Sequence, residues 1–444
     1  MSAVKAKTLF ADGFQILIVR VLNLVCAAGV SIFVSRMLGP EGRGTYVVPG
    51  MLAGLVATVF AGLTTTIASS MLKDRAGSGA IRAAFAAAVP MVATGIVVVM
   101  AITVATNQLW AAPYAAIVLP FMALIAIVNG YGYGVKNPRL VTLFTLATNI
   151  AIFICLAAGL LFVGRTANVA IESWFAGNVF VGLVAICVVL WSARGMATGP
   201  IATWAFLTYA ARIGAIGLVS ILNYRIDLYM VAFFTSHSQL GFYSTAVSAA
   251  ETLLVAAQVG SIVTVPHIGS LGAREAAHLT ARCVRNNFAF ITVLCIVAAL
   301  VAPAAVELLF GPAFLPAVAP LRVLLIGIIP MSAASIISSY YTLNAKKPQY
   351  PLIIAGASAF ICAAISLILI PRIGIVGAAI GTTVSYISTV IASMIIFSIQ
   401  AKVPLWHVAC VQPEDLHGYR RLISSYLSKR LNSPVEENLA SGLE

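Results

Sequence analysis

Residues 83–105 read AAFAAAVPMVATGIVVVMAITVA. The stretch carries no charge, and as a helix it extends about 35 Å, enough to cross a hydrocarbon core of about 30 Å. That core offers no water, so backbone N–H and C=O groups must bond within the segment, as a helix allows. A barrel strand would alternate apolar and polar residues, and this stretch does not. Outward from it in both directions, runs of similar length recur along nearly the whole chain. The pattern predicts about twelve spans, at roughly 13–36, 46–71, 83–105, 110–134, 140–163, 169–192, 203–234, 241–266, 286–309, 315–343, 350–370 and 374–400. Of the 444 residues, 61% are hydrophobic and 9% charged, against roughly 25% charged in a soluble domain. The expected fold class is an all-α integral membrane protein.

Lys5 and Lys7 precede a full-length span instead of a short apolar region with a cleavage site, so no cleavable signal peptide is expected. The net charge of +13 reports topology, and no nucleic-acid partner is inferred. One set of short connections and the tail hold about 18 Lys and Arg, among them Lys73, Lys136, Arg194, Arg274, Lys346 and Lys402. The other set holds about 4: Arg36, Arg43, Arg165 and Arg372. The bias puts both termini in the cytoplasm, as an even number of spans requires. The seven Cys show no C-x-x-C spacing and read as packing residues, without a metal role. No P-loop, H-E-x-x-H or G-x-S-x-G motif is present, so neither an enzyme nor a cofactor is expected.

The two halves of the chain look alike. Gly44-x-Tyr46 follows the first span as Gly241-x-Tyr243 follows the seventh, and Lys136-x-Pro138 precedes the fifth as Lys346-x-Pro348 precedes the eleventh. Two six-helix halves in parallel repeat follow, 1–195 and 196–401, facing each other across a central cavity. A polar tail, 402–444, follows; within it 415–431 reads as a short amphipathic helix suited to an anionic leaflet or a partner.

Ionisable groups inside spans are costly and by default face the protein interior or a wet cavity. In the first span Arg20, Asn23, Ser31 and Ser35 share an arc of about 120°. In the seventh, Tyr209, Arg212, Ser220, Asn223 and Asp227 share about 80°. Ser244, Ser248, Glu251 and Gln258 make a similar stripe on the eighth. Facing one another, these stripes would line a polar cleft. Arg225 lies nearly opposite the seventh-span stripe, so it either snorkels to an interface or pairs with another helix. Arg322 opens the tenth span. The arginines outnumber Asp227 and Glu251, and a guanidinium binds phosphate bidentately. The expected headgroup-binding set is therefore Arg20, Asn23, Arg212, Asn223, Arg225 and Arg322, with Asp227 and Glu251 as ion-coupling candidates.

Four segments carry a resemblance to a known family: Val34-Ser-Arg-Met-Leu-Gly-Pro-Glu-Gly-Arg-Gly-Thr-Tyr46, Asn223-Tyr-Arg-Ile-Asp227 with Leu240-Gly-Phe-Tyr243, Leu309-Phe-Gly-Pro-Ala-Phe314, and Ile373-Gly-Ile-Val-Gly-Ala-Ala-Ile-Gly381. On these the chain resembles the polysaccharide transporters of the multidrug/oligosaccharidyl-lipid/polysaccharide exporter superfamily, the Wzx-type O-antigen flippases. The resemblance covers about residues 10–420. It implies a V of two six-helix bundles in a bacterial inner membrane. It also implies flipping of undecaprenyl-diphosphate-linked oligosaccharide by alternating access for O-antigen or exopolysaccharide synthesis, coupled to H+, Na+ or the membrane potential. Membrane lipids and a polysaccharide polymerase or chain-length machinery are the implied partners. Several lumen charges common in that family have no match here. Two rivals are weighed: a multidrug antiporter of the same fold, which would favour acids and aromatics in its cleft and is opposed by the arginine surplus, and a membrane polysaccharide polymerase, which normally needs a long outer loop where this chain has only short outer connections.

Topology is directly testable. Reporter fusions after Lys73, Lys136 and Lys346 are expected to read cytoplasmic and a fusion near Gln108 extracytoplasmic; an external signal at Lys346 would break the repeat.

Overall fold

The computed structural model describes residues 3–73, 77–194, 196, 199, 201–345, 347, 349–409 and 412, and of 3–20, 193, 256–270, 273, 343 and 409 the backbone alone. The chain is helical almost throughout these residues, as their apolar runs require. Helices run α1 Ala3–Ala57, α2 Ala61–Lys73, α3 Ser78–Ala105, α4 Ala112–Gly134, α5 Pro138–Ala158, α6 Ala167–Ala193 and α7 Thr203–Phe234. They continue with α8 His237–Ser270, α9 Ala273–Phe310, α10 Val318–Ser339, α11 Gln349–Ile373, α12 Ile375–Ala401 and the short α13 Leu405–Ala409. The tail helix expected at 415–431 lies outside the described residues.

The beginning departs from expectation. The first two spans are not a hairpin with a loop at 36–46. They are α1, bent at Gly39, continuing through a 3-10 turn into α2. Gly39 takes φ 68°, a left-handed conformation that a β-carbon disfavours. Pro40 then opens the second arm, where its missing N–H costs nothing. Ten segments among the described residues are long and apolar enough to cross a membrane. One of them, Val21–Lys73, holds both arms of this bend; α8, 34 residues long, covers the residues of the eighth expected span.

Packing repeats along the chain. The first arm of α1 meets α5, as α7 meets α11. Helix α4 packs on α3 and α6, as α10 packs on α9 and α12, and α5 packs on α6 as α11 does on α12. The second arm of α1 and α2 pack on α4, as α8 does on α10. Two six-helix bundles result. The bundles meet where α1 crosses α8 and where α2 and α3 cross α7.

Glycine sets the closeness of these crossings. A β-carbon at Gly44 would stand 1.8 Å from the His237 carbonyl oxygen, and one at Gly241 1.9 Å from that of Pro40. Pro40 precedes Gly44 by the same four residues as His237 precedes Gly241, so each bundle presents the same step to the other. Likewise a β-carbon at Gly62 in α2 would lie 1.9 Å from the Ala210 oxygen in α7. In a bilayer, where apolar burial drives helices together only weakly, such backbone approach is a main source of association.

One end of the bundles is joined further. Arg36 donates from Nε to the Leu309 carbonyl at 2.8 Å and from Nη2 to that of Leu308, capping the open carbonyls at the end of α9. Gln108 Nε2 donates to the Ala232 carbonyl at 3.1 Å, near the end of α7. This is the Arg36 end; the opposite one is the Lys73 end.

Gly44→Ala and Gly241→Ala are each expected to destabilise the detergent-purified protein by about 3 kcal/mol, because whole helices must separate. Gly29→Ala, with nothing within 4 Å of its added carbon, should not lower the melting temperature.

Candidate functional site

Between the bundles lies a cavity of about 340 Å³. The second arm of α1 contributes Tyr46, Val47, Gly50, Met51 and Gly54, α6 contributes Trp174, and α7 contributes Arg225, Leu228 and Tyr229 among others. Gly50 and Gly54 keep the α1 wall open, and Tyr229 closes one side by donating its hydroxyl to the Met51 carbonyl at 3.0 Å. Arg225 is the charged residue of this lining. Its Nη2 meets Glu251 Oε2 of α8 at 2.9 Å, each side chain about 36% exposed. The pair is open to exchange. An anion entering the cavity competes with Glu251 for the guanidinium, and protonation of Glu251 would free it.

The seventh-span stripe turns away from this cavity. Asp227 and Asn223 are buried in α7. Asp227 Oδ2 accepts from the Tyr243 hydroxyl of α8 at 2.5 Å and from Thr382 Oγ1 of α12 at 2.7 Å, and Oδ1 accepts from the Leu228 N–H at 2.7 Å. Asn223 Oδ1 is buried with no partner among the described residues. Thus the carboxylate expected to face water sits inside the second bundle, binding α7, α8 and α12 together. Arg225, two residues before it, faces the opposite way because of the 100° helical step.

The other candidates do not converge on the cavity. Asn23 accepts at Oδ1 from Asn149 Nδ2 of α5 at 2.9 Å. Arg322 is exposed and donates from Nε to the Ala299 carbonyl of α9 at 3.0 Å. Arg212 lines an apolar groove among α1, α3 and α7. Arg20 lies on α1, and its side chain, like that of Gln258, is outside the described residues.

A residue that reads as part of a loop in the sequence holds the bundles together beside the cavity. Arg43 is buried and makes five hydrogen bonds, matching the five donors of a guanidinium. Nη1 donates to the Ser31 carbonyl at 2.7 Å and to Ser35 Oγ at 2.5 Å. Nε donates to Ser244 Oγ at 3.0 Å, and Nη2 to the Ser244 carbonyl and Ser248 Oγ, both at 3.3 Å. The serine stripes of the first and eighth spans are thus the two walls of an arginine site. The paired i, i+4 serines on both helices are the signal in the sequence, since such acceptors need a donor between them.

No protein-family model matches the chain, and no curated protein sequence does. Solved structures do. A lipid II flippase, MurJ, in an inward closed conformation superposes with a TM-score of 0.72 at 13% identity, covering 94% of this chain and 97% of its own. An inward-facing multidrug resistance transporter of the MATE family gives 0.66 at 14% identity, covering 87% and 95%. The Vibrio cholerae MATE transporter VcmN, in a mutant form, gives 0.61 at 14%, covering 90% and 99%. The fold is that of the transporters of the MOP superfamily. The chain is a multi-pass membrane protein of that architecture.

Lysine at position 43 supplies three donors for the five acceptors and cannot fork between α1 and α8. Arg43→Lys is expected to cost about 3 kcal/mol in thermal unfolding, as two charged hydrogen bonds are lost. Arg322→Lys, at an exposed site with one carbonyl contact, should change stability little.

Proposed function

We propose that this chain is a flippase that moves polyprenyl-diphosphate-linked oligosaccharide across the bacterial inner membrane by alternating access, for O-antigen or exopolysaccharide synthesis. The observation that carries the reading is Arg225 in a cavity between the bundles, held by a single exchangeable carboxylate. A diphosphate left unpaired in hydrocarbon costs several kcal/mol or more. A guanidinium there offsets that cost, and the sugar follows through a lining of Tyr46, Trp174 and Tyr229, whose rings suit the apolar faces of pyranoses.

The cycle we propose has four parts. With the Lys73 end cytoplasmic, the diphosphate enters and displaces Glu251 from Arg225. Glu251 takes a proton as it loses its partner. The bundles then re-pack so that the Arg36 end opens. When Glu251 deprotonates to the outside it pairs again with Arg225, which weakens the anion's hold and releases it; this step carries a proton outward with the cargo, so the inward ion gradient must drive the cycle at Asp227. Arg20 and Arg212, in the cytoplasmic halves of their spans, would receive the headgroup, and Arg322 would help it leave. Asp227 offers a second coupling point. A proton or Na+ arriving at its carboxylate would loosen the Tyr243 and Thr382 bonds that fasten α7 to α8 and α12. The reaction needs no covalent step, so the protein acts as a transporter and not as an enzyme.

A multidrug antiporter shares the fold, and the aromatic lining with Glu251 suits an organic cation. The two readings separate in proteoliposomes. Fluorescent polyprenyl-diphosphate oligosaccharide should cross with the parental protein. Arg225→Ala should abolish crossing, and Arg225→Lys should keep part of it. Glu251→Gln should bind the cargo about tenfold more tightly and turn over more slowly, since the competitor for Arg225 is gone. Crossing of ethidium instead of the lipid, unaffected by Arg225→Ala, would establish the antiporter reading.

A further inference from the structure

Arg212 stands in unusual surroundings. It is exposed, and among the described residues it has neither a carboxylate within 4 Å nor a hydrogen bond. It borders a groove of about 710 Å³ between α3 and α7, floored by the second arm of α1, and is the one charged side chain of that lining. Pro90, Met91, Thr94, Gly95 and Val98 form the α3 wall. The α7 wall runs from Trp204, 78% exposed, to Leu222. The Thr208 hydroxyl is spent on the Trp204 carbonyl at 2.8 Å, so the wall presents almost no free polar group.

Two properties decide what fits. First, the groove follows α7 for 18 residues, about 27 Å at 1.5 Å per residue, nearly the whole hydrocarbon thickness of about 30 Å. An acyl chain of a bilayer phospholipid fills half of that. Second, Arg212 lies two turns, about 12 Å, beyond Trp204, whose exposed ring marks the interface. The long side chain leans back toward the start of α7, so its guanidinium meets an anion just below the headgroup level. An arginine at that depth without an anion is costly.

We propose that this groove holds the polyprenyl chain of the lipid-linked cargo, with Arg212 on its phosphate when the headgroup is at the Lys73 end. The inference rests on the flippase reading above and adds where the hydrocarbon lies. The chain remains along α3 and α7 while the headgroup moves inward toward Arg225, one long tail spanning both leaflets. The groove sits at the junction of the bundles, so it changes shape whenever they move.

The test uses full-length protein in vesicles and a polyprenyl diphosphate carrying one sugar, with a diazirine on about the third isoprene unit from the diphosphate, the part of the chain that lies beside Ala215 when the phosphate is on Arg212. A phosphatidylglycerol with a diazirine at its acyl terminus serves as comparison. The polyprenyl probe should label peptides containing Val98 and Ala215, and the phosphatidylglycerol probe should label them far less. Ala215→Trp, at an exposed position that fills the groove without touching the core, should lower this labelling about tenfold, the loss expected when two buried methylenes are displaced. Arg212→Gln should weaken polyprenyl diphosphate labelling but not that of the uncharged polyprenol. Equal labelling by phosphatidylglycerol would overturn the proposal and make this a groove for bilayer lipid. Absence of labelling at these peptides in vesicles that still flip the cargo would also overturn it, while leaving the flippase reading intact. Vesicles that flip no polyprenyl diphosphate at all would instead defeat that reading, whatever the probe labels.

Discussion

The structure depends on one contact, the crossing of the second arm of α1 with α8 at Gly44 and Gly241. Hydrocarbon gives helices little reason to associate, so two bundles stay together where backbones approach closely and where polar groups bridge them. Here both occur within one turn. The glycines bring carbonyl oxygens into the space of a side chain, and Arg43 beside them spends all five donors on α1 and α8. Among the described residues its charge has serines and carbonyls for partners and no carboxylate. A charge held this way is stable only while both helices remain in place. Such a joint has two states, closed with every donor satisfied or parted with donors solvated, and it resists intermediates.

That property links the joint to the cavity. Tyr46 lies three residues past Arg43 on the same arm and lines the space that Arg225 enters from α7. Glu251, which pairs with Arg225, lies one turn beyond Ser248, which accepts from Arg43. One helix, α8, therefore carries the joint and the counter-ion. In the proposed cycle, displacement of Glu251 by an incoming diphosphate would act on the same helix that Arg43 grips. We propose this as the route by which cargo loosens the Arg36 end.

Much of the fold is legible in the sequence. Spans are readable because hydrocarbon forces long apolar helices, and the repeat because the same crossing needs glycine in both copies. The site is less so. Arg43 follows Gly39-Pro-Glu-Gly42, residues of a turn, and reads as loop chemistry; only the bend at Gly39 reveals two helical arms. Asp227 reads as water-facing because a polar stripe along one helix looks the same whether it faces water or a neighbour's hydroxyls. Tyr243 and Thr382, which satisfy Asp227, lie 16 and 155 residues away, and no single-helix pattern connects them. Arg225 looks misplaced for the same reason, since the cavity lies on the other side of α7.

In the proposed cycle the Arg36 end is a seal that parts during transport. Spin labels at Glu41 and Leu308, both exposed at that end, in a background without native cysteines, report it through the distance between the bundles. A short distance is expected in the resting protein, and a second, longer population when lipid-linked oligosaccharide is supplied to vesicles. A single short distance in vesicles that are exporting the cargo would contradict that cycle.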